Sequence, residues 1–169
     1  TLYAVWDIAK YTVAYKGNGA DEGADYSETH DVSDSFTLPT EDTFKKTGYT
    51  LLGWATSATA TEAEYAAGAT VKNLTETNGA TVTLYAVWEK AVYTVTFVFA
   101  NNMKTVATYG YGDTVVIPAN SADNYDDNNH YTYSWPTVAT TATGSVTYNE
   151  IKTGKAHDLS LSERKSILR

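Results

Sequence analysis

The chain has 169 residues and a formal net charge of −8, with 14 tyrosines and four tryptophans against one methionine and no cysteine. That length admits one ordinary domain or two small ones, and the missing cysteines exclude a disulfide scaffold and a thiolate metal site. An acidic chain repels phosphate backbones and anionic bilayers, and no run approaches the ~18 apolar residues of a spanning helix, so neither nucleic acid binding nor membrane insertion is expected of this segment.

Threonine, valine, tyrosine and tryptophan fit a pleated, half-buried surface, and their abundance points to sheet. Residues 1–6, Thr1-Leu2-Tyr3-Ala4-Val5-Trp6, read as the last strand of a preceding module, with 7–10 as a linker. Such a strand is expected to pack against residues 11–90 or to pair between molecules. Tyr11 to Tyr15 alternates larger and smaller side chains, as a strand with one buried face does. Gly17-Asn18-Gly19 supplies an Asn-Gly turn. The acidic stretch 20–33 reads as a loop or an irregular hairpin arm, and Phe36-Thr37-Leu38 as a short strand stopped by Pro39.

Residues 40–48 form the best helix candidate, with Thr40 as N-cap, early acids, late lysines and Gly48 at the end. Tyr49 to Trp54 is a strand, residues 60–67 could close another helical turn, and Val82 to Trp88 is a closing strand. On that strand Leu84, Ala86 and Trp88 share one face, and Tyr85 and Val87 the other.

The chain repeats itself. Thr1-Leu2-Tyr3-Ala4-Val5-Trp6 recurs as Thr83-Leu84-Tyr85-Ala86-Val87-Trp88, and Tyr11-Thr12-Val13 as Tyr93-Thr94-Val95, at the same spacing. Leu38-Pro39 answers to Ile117-Pro118, Trp54 to Trp135, and Val82-Thr83-Leu84 to Val146-Thr147-Tyr148. The expected organisation is a strand and linker in 1–10, a complete module in 11–90, a shorter and divergent module in 91–152, and a tail in 153–169 that carries a Ser160-Leu161-Ser162-Glu163 capping box. The chain is read as a piece of a longer polypeptide, with short spacers that hold adjacent modules in a fixed, extended arrangement.

Gly17-Asn18-Gly19, Gly48-Tyr49-Thr50 with Gly53-Trp54, and Leu84-Tyr85-Ala86-Val87-Trp88 resemble, in order and spacing, the Listeria–Bacteroides repeat family, the B repeats of internalin-type surface proteins. The resemblance implies an α+β, mostly β fold of tandem small β-grasp (ubiquitin-like) modules. It implies a place in large secreted or cell-wall-attached proteins on the bacterial cell surface, acting as spacers or in adhesion and protein interaction. No catalytic residue, cofactor or metal is carried over, and the chain is expected not to be an enzyme. The second module departs from the pattern: Ser134 stands where Gly precedes Trp, the closing strand has no Trp, and Asn101-Asn102 replaces the Asn-Gly turn.

Candidate chemistry is sparse. His30, His130 and His157 are scattered, the first two in what read as acidic loops and the third in the tail. Residues 123–129 are rich in oxygen ligands but lack the glycine and glutamate of a helix–loop–helix calcium site. Asp21, Glu22, Asp25, Glu28, Asp31 and Asp34 make an acidic stretch without the rigid cleft that glycoside hydrolysis needs. Trp54 and Trp88 recur with the repeat and read as core. The non-repeating Tyr26, Tyr65, Tyr109, Tyr111 and Tyr125 are the candidate binding surface, with a host surface protein or a glycan, besides neighbouring repeats, as the partner classes.

Overall fold

The computed structural model describes residues 1–4, 7–126 and 129–156. The chain divides into two compact units, Thr1–Ala91 and Val92–Arg169. All regular structure among the described residues is strand, so the α+β expectation is corrected to all-β.

The first unit holds β1 (Lys10–Lys16), β2 (Tyr26–Asp31), β3 (Ser35–Thr37), β4 (Tyr49–Ala55), β5 (Tyr65–Ala66), β6 (Thr70–Lys72) and β7 (Thr81–Lys90). Five of them form one mixed sheet in the order β2-β1-β7-β4-β5, and β3 pairs with β6. Inside the sheet β1 and β7 run parallel, while β1–β2, β4–β7 and β4–β5 are antiparallel. A parallel pair needs a long crossover, and here the whole stretch between β1 and β7 serves as one. The alternation in β1 buries Tyr11, Val13 and Tyr15. Just beyond it Asn18 and Gly19 take φ of 49° and 87°, the left-handed pair an Asn-Gly turn uses.

Trp54 is fully buried at the centre of this core, edge-on to Tyr15 at 5.3 Å and to Phe44 at 5.5 Å. Leu38, just before Pro39, and Phe44, from the segment that read as a helix, cover it. That segment makes a single turn, closed by the Thr43 and Phe44 N–H groups on the Thr40 carbonyl. Its continuation is spent elsewhere: the Lys45 N–H donates to the Glu22 carbonyl at 3.1 Å, and the Lys45 carbonyl accepts from Asp21 and Glu22. A nine-residue helix has little stability of its own to resist such competition. The turn expected in 60–67 is likewise overridden. Its backbone joins the sheet edge as β5, with the Glu64 N–H on the Trp54 carbonyl and the Ala67 N–H on the Leu52 carbonyl.

The second unit holds β8 (Val92–Val98), β9 (Lys104–Gly110), β10 (Asn124–Tyr125), β11 (Asn129–Ser134), β12 (Val146–Asn149) and β13 (Ile151–Ala156). They form two three-stranded sheets, β12-β8-β9 and β10-β11-β13. The β8–β9 hairpin turns at Asn101-Asn102, with Asn102 at φ 67°. Its core is smaller: Val95, Phe97, Val115 and Ala142, flanked by Tyr93, Tyr109, Trp135, Val138 and Tyr148.

Three further expectations are revised. Residues 1–4 form no strand and leave Leu2 and Tyr3 exposed; Val5 and Trp6 lie outside the described residues. Residues 153–156 of the expected tail belong to β13, which pairs with β11 through Ala156; the capping box and His157 lie outside the described residues. His30 and His130 sit in β2 and β11, not in loops.

Candidate functional site

The two units share one construction. In both, the first and closing strands are parallel neighbours: Thr12↔Thr81 to Lys16↔Tyr85 in the first, Val146↔Val95 to Asn149↔Val98 in the second. In both, the tryptophan indole N–H reaches back to a proline carbonyl, Trp54 to Pro39 at 3.0 Å and Trp135 to Pro118 at 2.8 Å. In both, that indole meets an aromatic of the first strand edge-on, Tyr15 at 5.3 Å and Phe97 at 5.1 Å. A buried indole N–H needs an acceptor, and the proline carbonyl is the one the repeat supplies.

The closing strand is where they part. β7 runs unbroken, pairing first with β1 and then with β4. Its counterpart is cut at Glu150 into β12, which pairs with β8, and β13, which pairs with β11. Pairing register places Glu150 where the first unit has Ala86, and Lys152 where it has Trp88. Glu150 is 9 % exposed, and its carboxylate accepts the Ala100 N–H at 3.0 Å, the Ser121 N–H at 2.6 Å and the Ser121 hydroxyl at 2.6 Å. Burial pushes this carboxyl up, but the hydrogen bonds from Ser121 and Ala100 outweigh it and hold the group below its ordinary value. The first unit ties the same turn differently, with the Asn18 side-chain amide donating to the Ala86 carbonyl at 2.9 Å.

A cleft opens beside each closing strand. In the first unit a space of about 280 Å³ is lined by Glu22, Glu41, Lys45, Lys46, Tyr49 and Trp88 among others. Trp88 is half-buried rather than core, with its indole N–H on the Gly17 carbonyl at 2.9 Å. Lys46 Nζ lies 4.4 Å above the Tyr49 ring, and Lys45 pairs with Glu22 at 3.6 Å. In the second unit a space of about 380 Å³ is lined by Asn101, Ser121, Asn124, Tyr133 and Lys152, with Ala100 and Ala122. Here the Tyr133 hydroxyl donates to Asn124 Oδ1 at 3.1 Å, and Lys152 Nζ lies 3.8 Å above the Tyr131 ring.

The candidate tyrosines do not converge. Tyr26 in β2 and Tyr65 in β5 stand on opposite edges of the five-stranded sheet, and both pack on its core. Tyr26 stacks on Phe44 at 6.0 Å, and burial pushes its hydroxyl up. Tyr109 packs on the second core and accepts the Val116 N–H at 3.1 Å. Tyr111 is half-buried in the turn after β9. Tyr125 in β10 is 65 % exposed and stacks on His130 at 4.3 Å.

The acidic residues of the first unit are structural ties. Asp21 accepts the Thr47 N–H and Asp25 the Gly17 N–H, and these bonds draw both carboxyls below their ordinary value. Asp31 pairs with Lys10 at 2.6 Å. His30 stacks on Phe36 at 3.7 Å with its Nε2 buried. In the oxygen-rich stretch, Asp126 accepts from the Asn129 N–H and the Tyr131 hydroxyl, and Asp127 and Asn128 lie outside the described residues. Among the described residues no group of three His, Asp or Glu gathers to hold a metal ion.

This geometry defines a class: small all-β modules built twice on one plan, with variation concentrated beside the closing strand. Residues 11–87 match the Listeria-Bacteroides repeat domain, so the first unit is a repeat of that family. Two relatives come from Evansella cellulosilytica. One, provisionally named a Gly-rich membrane protein, is 42% identical over 98 residues, covering 57% of this chain and 11% of its own length. The other, provisionally named a membrane protein, is 35% identical over 89 residues, covering 52% of this chain and 13% of its own length. The chain thus spans only a small part of the curated relatives it matches. No solved structure matches it at a significant level.

Proposed function

We propose that this chain is a non-catalytic, force-bearing spacer segment of a bacterial cell-envelope protein, exposed on the outer side of the cell. The observation that carries the reading is the parallel pairing of first and closing strands in both units. Tension entering through the start of β1 and leaving through the end of β7 slides the two strands along each other. All the ladder hydrogen bonds between them are then loaded together, whereas a hairpin pulled at its open end loses its bonds one at a time. The repeat family and the names of the relatives support the envelope location. The mixed five-stranded sheet supports a β-grasp variant, in which Leu38 and the turn carrying Phe44 cover the core in place of a helix.

Binding of a host protein or glycan through Tyr26, Tyr65, Tyr109, Tyr111 and Tyr125 is the weaker reading, because those side chains are dispersed over edges and cores. Single-molecule pulling from the chain ends tests the proposal. Two unfolding events are expected, and the second unit yields first because its parallel clamp has four residue pairs against five in the first. Extension without resolved events would reject a mechanical role.

A further inference from the structure

We propose that the cleft of the second unit is a binding site for a carboxylate-bearing sugar, such as a hexuronate or a sialic-type residue at a glycan end. The proposal goes beyond the spacer reading and does not depend on it. Its starting point is the contrast between two units built on one plan. At the position of Ala86, fully buried in the first unit, the second places a glutamate, and at the position of Trp88 it places a lysine.

Both exchanges cost the fold regularity. The closing strand is broken at Glu150 and a carboxylate is taken out of water. What they produce is one structure: Glu150 clamps Ala100 and Ser121, two of the cleft's lining residues, and Lys152 stands at its rim. A local rule broken beside a polar cleft is the pattern expected of a site.

The lining selects the ligand. Its residues carry one cation, two amides, a hydroxyl and a phenol, and no carboxylate. Glu150 lies behind Ser121 with its oxygens already occupied by three donors. About 380 Å³ falls within the usual range for small-ligand pockets. Hydroxyl-rich ligands match the amide and phenol groups, and an acidic one adds an ion pair with Lys152. The ammonium is already positioned over the Tyr131 ring, whose hydroxyl is fixed on Asp126 at 2.7 Å. Arrival of a sugar carboxylate therefore costs little further ordering of that side chain. A neutral sugar gains none of this, and a bare anion makes no use of the amide and phenol groups that line the cleft.

The test is an NMR titration of the full chain with three probes at low salt: a hexuronate oligomer, a sialylated trisaccharide and lactose. Saturable shifts are expected at Asn101, Asn124, Tyr133 and Lys152 with one or both acidic probes, and none with lactose. Whichever acidic probe binds identifies the sugar class. Lys152→Gln weakens that binding about two- to fivefold, as loss of one exposed ion pair does. Lys152→Arg restores most of it, and Lys155→Gln on the opposite face of β13 leaves it unchanged. The proposal is overturned if neither acidic probe binds at millimolar concentration, if lactose binds as well as they do, or if Lys152→Gln binds as the parent does while keeping its folded spectrum.

Discussion

At Gly53 the first unit has no room for a side chain. A Cβ there would lie 2.0 Å from the Tyr65 carbonyl oxygen, and the backbone stands at φ 152°. β5 crosses β4 at this residue, directly after the register shift between Leu51 and Gly53. The second unit explains its own exception: β10 meets β11 at His130 and Tyr131, so Ser134 has no strand crossing it on that side. Gly53→Ala is expected to destabilise the first unit by about 1–3 kcal/mol through backbone strain, read as a lower urea midpoint at unchanged slope. Ser134→Gly is expected to leave the second unit's midpoint close to where it was. Tyr15 makes the opposite case. Its ring is fully buried, but its hydroxyl has no hydrogen-bond partner, so Tyr15→Phe removes an unsatisfied polar group and is expected to be neutral or stabilising. Burial also raises the Tyr15 pKa. A raised folded-state value means the stability is fully present below the ordinary value near 10.0 and falls as pH rises above it. Tyr15→Phe should flatten that alkaline loss. Trp54 was legible in the sequence because it recurs as Trp135. The half-buried state of Trp88 was not, since recurrence alone does not separate a core ring from one that lines a cleft.

Between residue and module, the closing strand shows what pattern reading captures and what it misses. Strands with alternating burial, such as β1 and β8, announce themselves, and so does the Asn-Gly turn, because local chemistry and tertiary demand agree there. Residues 40–48 carry helix signals that are also local, yet the Lys45 backbone is claimed by Asp21 and Glu22 from a distant loop. No window confined to that segment contains those partners. The break at Glu150 was invisible for the same reason: a glutamate in a strand reads as solvated until Ala100 and Ser121 are brought to it. Its consequence is an acid dependence of the second unit. The folded-state value is depressed, so the stabilisation is present above the ordinary value of about 4.5 and is lost as pH falls below it through the folded-state value. Glu150→Gln should remove that component and start from a lower plateau at neutral pH, because an amide replaces one acceptor oxygen with a donor. Thermal melts of both proteins between neutral pH and about pH 3 would show it; parallel melting curves at every pH would refute it.

The whole chain carries two cores of unequal size. The first gathers nine buried side chains with Trp54 among them, and the second only Val95, Phe97, Val115 and Ala142 with half-buried neighbours. This doubling was legible from the repeated motifs, whereas the cleft of the second unit was not, since Lys152 belongs to no motif and acquires meaning only by standing where Trp88 stands. Burial of apolar area is the dominant favourable term in folding, so the smaller core should give the weaker unit. Hydrogen-exchange or two-probe urea unfolding is therefore expected to resolve two transitions, the second unit melting first. Trp54 is fully buried and touches Tyr15 and Phe44, so Trp54→Ala should cost the first unit about 3–5 kcal/mol. That loss would bring its transition down to or below that of the second unit, whose own transition stays in place. Trp135→Ala should move only the second transition, and by less, because that ring is partly exposed. If either substitution shifted a single shared transition instead, the two cores would be one cooperative unit, and the force-bearing reading would need a clamp that spans both.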